Sequence, residues 1–298
     1  MRTLRIVIVA AFALMANVAA YANHYADFYV IPIAGHTAGQ NGTNWMSDVA
    51  IQNFQPTPLD VQIVVIESGF DPDNVFPVAT EDDAGSVTVP AGGSVLLHDI
   101  LANHRGSSSV TGALLVGSDR PFAITSRTYS MSPAGDTVGQ TVPPSANFLD
   151  NTLSPINLPT AVAYVPGLVQ NNEFRTNLGF VAANGSGSGA TMNLAITIKG
   201  QFGSTLGTRN YSIAPGAVMQ IQFSAREIAD ANFNVGGAEF RITTGSGSVV
   251  PYASVIDNRT ADAVFVTGNF PQNDTSALGT GASRSLFRSI LDRMSVSR

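Results

Sequence analysis

The mature part of this chain states one pattern twice. Trp45-Met46-Ser47-Asp48-Val49-Ala50-Ile51 returns as Phe174-Arg175-Thr176-Asn177-Leu178-Gly179-Phe180. Val89-Pro90-Ala91-Gly92-Gly93-Ser94-Val95 returns as Ile213-Ala214-Pro215-Gly216-Ala217-Val218, and Gly112-Ala113-Leu114-Leu115-Val116 as Gly237-Ala238-Glu239-Phe240-Arg241-Ile242. Positions 45 and 174, 92 and 216, and 112 and 237 lie 129, 124 and 125 residues apart. Solenoid repeats run only ~20–50 residues, so a period this long predicts two tandem domains.

The ends set the compartment. Arg2 and Arg5 precede an apolar run, Ile6 to Val18, and Ala20-Tyr21-Ala22 has the small-x-small form of a cleavage site. This predicts a signal peptide over 1–22 and an exported chain acting in the periplasm, at the cell surface or outside the cell. The apolar run is short of the ~20 residues a spanning helix needs, and no later segment reaches that length. There is no Cys among the 298 residues, so the core alone must hold an exported fold together, as suits a bacterial secreted protein. Charged residues are 12% of the chain, Lys199 is its one lysine, and the formal net charge is −6. Nucleic-acid binding rests on clustered basic side chains, so this balance argues against it.

Short β-type runs separated by turn residues predict an all-β fold: two antiparallel β-sandwich domains, 23–140 and 161–270. In the first, strands are expected near 28–33, 46–53, 59–66, 86–89, 94–98, 110–117 and 121–129. In the second they are expected near 163–168, 175–182, 191–198, 208–213, 217–222, 237–243 and 249–256. In the third run Val61, Ile63 and Val65 form one buried face. Asp99 to Asn103 and Ala225 to Ala231 each read as a turn or two of helix. Pro143, Pro144, Pro155 and Pro159 mark a Pro-rich linker, 141–160, expected as an extended strap. In the polar tail, 271–298, Leu286, Phe287, Ile290, Leu291 and Met294 share one face of a short amphipathic helix.

Three stretches carry a resemblance. They are Tyr29-Val30-Ile31-Pro32 followed by Gly42 to Val49, Val89 to Val95, and Ala253-Ser254-Val255-Ile256-Asp257-Asn258-Arg259. Over roughly 28–270 the chain resembles uncharacterised exported bacterial proteins with tandem immunoglobulin-like sandwiches. The resemblance implies the fold and brings no catalytic residue with it.

Chemistry is sparse. The chain has no Gly-x-Ser-x-Gly elbow, no His-Glu-x-x-His zinc motif and no phosphate loop. His98 and His104 read as surface residues. Function is expected where the two copies differ, because shared positions serve the shared fold. The loop from His36 to Asn44 is longer than its counterpart, and His36, Asn41, Asn44 and Trp45 are the ligand-binding candidates, with the indole as a flat face for a sugar. Trp45 matches Phe174 across the copies, so the same ring also reads as a core plug. The second loop holds Asp71, Asp73, Glu81, Asp82 and Asp83, oxygens of the kind that suit Ca2+. A solvated acidic hairpin is the other reading of those residues.

The expectation is a non-catalytic structural or adhesive module, with a cell-surface protein or polysaccharide as partner, or self-association. A polysaccharide-binding protein, accessory or enzyme acting through the first domain's loops is the alternative. A periplasmic assembly factor that captures partners by strand addition is a third reading.

Overall fold

The structure is a computed structural model, and it describes residues 26–39, 43–69, 75–77, 85–104, 109–131, 137–146, 149–150, 162–184, 189–245 and 247–269. The expected signal peptide and C-terminal helix lie outside these residues. The described residues hold no α-helix; they form seventeen strands. The first nine are β1 (Ala26–Ala38), β2 (Asn44–Gln52), β3 (Leu59–Glu67), β4 (Val75–Pro77), β5 (Ser86–Val89), β6 (Ser94–Leu97), β7 (Val110–Met131), β8 (Thr137–Thr141) and β9 (Leu149–Asp150). The rest are β10 (Val162–Gln170), β11 (Phe174–Ala183), β12 (Met192–Gly200), β13 (Thr205–Ile213), β14 (Val218–Ser224), β15 (Phe233–Thr244), β16 (Ser248–Asp257) and β17 (Ala263–Thr267).

Every ladder between these strands is antiparallel, and the first half pairs as the second does. The first half runs β5–β3–β7–β1 on one side and β6–β2–β7–β8 on the other. The second runs β13–β12–β15–β10 and β14–β11–β16–β17. Side-chain bonds recur at matching places. Asn53, fully buried at the end of β2, donates its amide to the carbonyl of Val89, while Asn184, buried at the end of β11, donates to that of Ile213. The Ser47 hydroxyl accepts from the Gly35 amide, and the Thr176 hydroxyl from that of Val169.

One difference separates the halves. The runs 110–117 and 121–129, expected as two strands, form the single strand β7, which pairs with β1 and β3 through its first part and with β2 and β8 through its second. The Ser118 hydroxyl bonds the Arg120 backbone through this corner, and the chain stays extended. At the matching place in the second half, Gly245 has φ +74°, the left-handed region open to glycine, and β15 and β16 are separate. Strands β4, β8, β9 and β17 lie outside the expected set. The expected helical turns are hydrogen-bonded turns at 98–103 and a 3-10 turn at Ala225–Glu227, closed by the capping box of Ser224 and Glu227.

Each half packs its sheets around an apolar core. Ile31, Val49, Ile51, Leu59, Val61, Ile63, Leu114 and Phe122 fill the first, and Leu178, Phe180, Leu194, Ile196, Phe240 and Ile242 are among those filling the second. Strand β3 was expected to bury one face, yet Val64 and Ile66 on its other face are buried too. The cause is tertiary: with Phe28, Val30, Ala113 and Leu115 they pack against Val181, Ala183, Val218 and Val250 of the second half. Gln220 and Tyr252 lie inside this contact with no exposed surface. The Gln220 amide donates to the Tyr252 hydroxyl at 2.5 Å, and its carbonyl oxygen accepts from the Ser68 hydroxyl.

The segment after β8 also joins the halves. Val142 is buried, Ser145 exchanges backbone hydrogen bonds with Val30 at 2.8 and 2.9 Å, and β9 then pairs with β16. No described helix is long and apolar enough to cross a membrane, which leaves strands unaddressed.

Candidate functional site

The polar groups of the first half converge on the turn at 98–103. Strand β1 brings His36, β2 brings Asp48, β7 brings Arg127 and Tyr129, and β3 brings Glu67. The turn is fixed by backbone bonds from Ile100 to Ser47 and from Ala102 to Asp99. Asp99 has φ +41°, a left-handed conformation that an aspartate adopts at a cost. Its amide donates to the Asp48 carboxylate at 2.9 Å, which helps hold it there.

All three described histidines meet a carboxylate. His36 Nδ1 lies 2.8 Å from Asp99 Oδ2, His104 Nε2 3.0 Å from Glu67 Oε1, and His98 Nδ1 3.4 Å from Asp48 Oδ2. Their surroundings differ sharply: the His98 side chain is 72% exposed and that of His104 1%. His98 is therefore at the surface as expected, whereas His104 is a core residue, drawn in by Leu101 and by the end of β3. On the outer face, the Tyr129 hydroxyl donates to Asp48 at 3.3 Å, and the Arg127 guanidinium lies 4.5 Å from the centre of the Tyr129 ring. Burial pushes the Tyr129 phenol above its ordinary range, and the negative charge of Asp48 adds to the effect.

Of the sequence candidates, His36 joins this cluster. Trp45 is half-buried and pairs with Thr37, the residue after His36, and with Ser130 of β7. The backbone at Gly39 approaches the indole so closely that a Cβ there would sit 2.5 Å from Nε1. Asn44 is exposed and gives its backbone amide to the Ser130 hydroxyl. Asn41, Asp71, Asp73, Glu81, Asp82 and Asp83 lie outside the described residues. Sequence reasoning passed over Asp48, Asp99, Arg127 and Tyr129. Asp48 was legible, since its counterpart in the duplicated block is the uncharged Asn177.

Chemically, an imidazole whose Nδ1 is tied to a carboxylate has its Nε2 free to exchange a proton or hydrogen bond. A hydrolytic centre also needs a nucleophile within reach. The nearby hydroxyls of Thr37 and Ser109 bond one another at 2.7 Å. Asp99 Oδ1 is buried with no hydrogen-bond partner among the described residues. Those residues contain no group of three or more His, Asp or Glu side chains placed to hold a metal ion. The cluster is suited to polar contact and to fixing the turn.

Neither a family model nor a curated protein matches the chain. Among solved structures the chain is similar to the beta-glucuronidase of Bacteroides uniformis, at 11% identity and a TM-score of 0.20, covering 80% of this chain and 26% of that one. It is also similar to the C-terminal domain of the antigen I/II-family protein AspA of Streptococcus pyogenes, at 12% identity and a TM-score of 0.16, covering 80% of this chain and 99% of that one. The chain thus spans about a quarter of the glucuronidase's length. Both neighbours are β-rich bacterial proteins.

Proposed function

We propose that this chain is an exported, non-catalytic structural or adhesive protein, built from two immunoglobulin-like sandwiches, 23–140 and 161–270. The observation that supports this reading is the buried apolar contact between the halves. Domain interfaces within a chain are by default polar and allow relative motion. Here Phe28, Val30, Val64, Ile66 and Leu115 are locked against Val181, Val218 and Val250, with a buried hydrogen-bonded glutamine among them. A body closed in this way does not hinge over a substrate. It suits a part that bears load or holds a surface outward.

The test has two readouts. Expressed with its own N-terminus in a bacterium, the chain is expected outside the cytoplasm, with a mature N-terminus at Asn23 by mass spectrometry. Recovery of the uncleaved chain in the cytoplasm would sink the exported reading. In 15N relaxation both halves are expected to tumble with one correlation time; two independent times would remove the structural argument.

A further inference from the structure

The sheet β13–β12–β15–β10 turns one face to its own core, and on its other face Tyr164, Thr208 and Asn210 are exposed. The ladder registers place its outward side chains in rows. One row runs Tyr164, Glu239, Thr197, Thr208, and the next Pro166, Gly237, Lys199, Thr205. A third runs Val162, Arg241, Ala195, Asn210, with Val162 buried. We propose that this face is the adhesive surface of the protein and that it takes an acidic polysaccharide, one bearing carboxylate or sulfate groups.

Charge selects the occupant. By register the face carries three charged side chains, and two of them satisfy each other: Arg241 donates from Nε and Nη2 to one oxygen of Glu239, at 3.0 and 2.7 Å. Lys199 is left as the cation without a carboxylate among the described residues; its ammonium donates to the Thr205 hydroxyl at 2.8 Å. One uncompensated positive charge on a chain of net charge −6 is a local preference for an anion.

Shape and hydroxyl chemistry select a glycan among anions. Tyr164 is 50% exposed at the rim, an aromatic face on which a sugar ring can stack. Gly237 lies between Pro166 and Lys199 in register, so the row next to that of Tyr164 and Glu239 has no side chain on its middle strand. Asn210 and Thr208 on β13 are exposed amide and hydroxyl groups. Lys199 lies two strands across and one row along from Tyr164, roughly 12 Å at ~4.8 Å per strand and ~3.3 Å per residue, the span of two to three sugar units. This inference deepens the adhesive reading and rests on it.

The experiment is affinity electrophoresis of the full chain in gels carrying polygalacturonate or dextran, with Lys199→Gln, Lys199→Arg and Tyr164→Ala beside it and thermal melts confirming that each variant folds. Expected are retardation by polygalacturonate and not by dextran, at least tenfold weaker retardation for Lys199→Gln and Tyr164→Ala, and recovery in Lys199→Arg. Absence of retardation by polygalacturonate overturns the proposal, as does equal retardation by dextran, or retardation indifferent to both residues. Because Lys199 is the chain's one lysine, an amine-reactive label reads the same face; a Lys199 that is inert in the full chain and reactive once 271–298 is removed would place the chain's own tail there and overturn the proposal too. These outcomes use purified protein, so they are independent of whether the chain is exported.

Discussion

The Gln220 amide and the Tyr252 hydroxyl lie 2.5 Å apart, fully buried in the contact between the two halves. Gln220 also binds Ser68 of β3's end through its side chain and Gly69 through its backbone carbonyl. It is thus a polar bolt through an apolar contact. Gln220→Leu strands the buried Tyr252 hydroxyl, whereas Ser68 is exposed; a buried unsatisfied group costs ~1–3 kcal/mol. The expected loss in urea denaturation is about 1–3 kcal/mol. The double variant with Tyr252→Phe is expected to be less destabilised than the sum of the singles.

Gly179 faces the same tyrosine across the β11–β16 ladder. A Cβ at this position would lie 2.2 Å from Tyr252 Cζ, so the ring or the strand has to move. Gly179→Ala is expected to cost about 1–3 kcal/mol, as overpacking of a core does. A melting temperature equal to wild type would mean the ring has more room than this geometry allows.

Alkali is expected to loosen the protein through its buried phenols. Burial raises the pKa of Tyr252 well above the tyrosine range, and that of Tyr211 to about 12. Unfolded tyrosine ionises near 10. A folded pKa raised above the unfolded one means the stabilisation is complete below about pH 10 and is lost as pH rises through the folded value. Stability is expected to be flat to about pH 9.5, then to fall by about 1.4 kcal/mol per pH unit for Tyr252, with Tyr211 adding to the slope. Chemical denaturation between pH 8 and 12 measures this, and Tyr252→Phe should flatten the curve.

Asn53 and Asn184 are predicted to behave alike. Asn53 Nδ2 lies 2.9–3.1 Å from three carbonyl oxygens, those of Thr57, Val89 and Pro90, and Asn184 Nδ2 reaches those of Ala190 and Ile213. Replacement by Ala leaves buried carbonyls unpaired and a small void, for an expected loss of about 2–4 kcal/mol at either site. A large loss at one site and none at the other would show that the shared bonds do not carry equal weight.

Ala261 offers a gain. It holds φ +61° in the turn between β16 and β17, a conformation that costs an L-residue roughly 1–2 kcal/mol. Ala261→Gly removes that cost against the greater freedom of glycine when unfolded, for an expected net stabilisation of about 0.5–1 kcal/mol in thermal denaturation.

How much of this was legible follows from what each signal reports. The fourteen expected strand segments all fall on observed strands, because alternation along a strand and Pro-Gly turns are local properties of the backbone. The joining of two of them into β7 was not legible: whether Gly117 to Pro121 bends as a corner or ends a strand depends on the hydroxyl of Ser118 and on the sheets at either side. The three-residue β4 and two-residue β9 are too short to leave a period. In the site, His36 was marked by the loop that is longer in the first copy, while its partner Asp99 lies 63 residues away, and no spacing rule connects residues on β1 with a turn after β6.

The sequence by itself determined the antiparallel strands and an order of segments that recurs at an offset near 125, since both reside in side-chain alternation and turn chemistry read along the chain. Only the tertiary structure decided that Val64 and Ile66 are buried, that Gln220 is a core residue and that His104 lies inside. Each of these depends on surfaces meeting across more than 35 residues of chain, and the free energy of such contacts comes from water excluded between faces that no local pattern brings together.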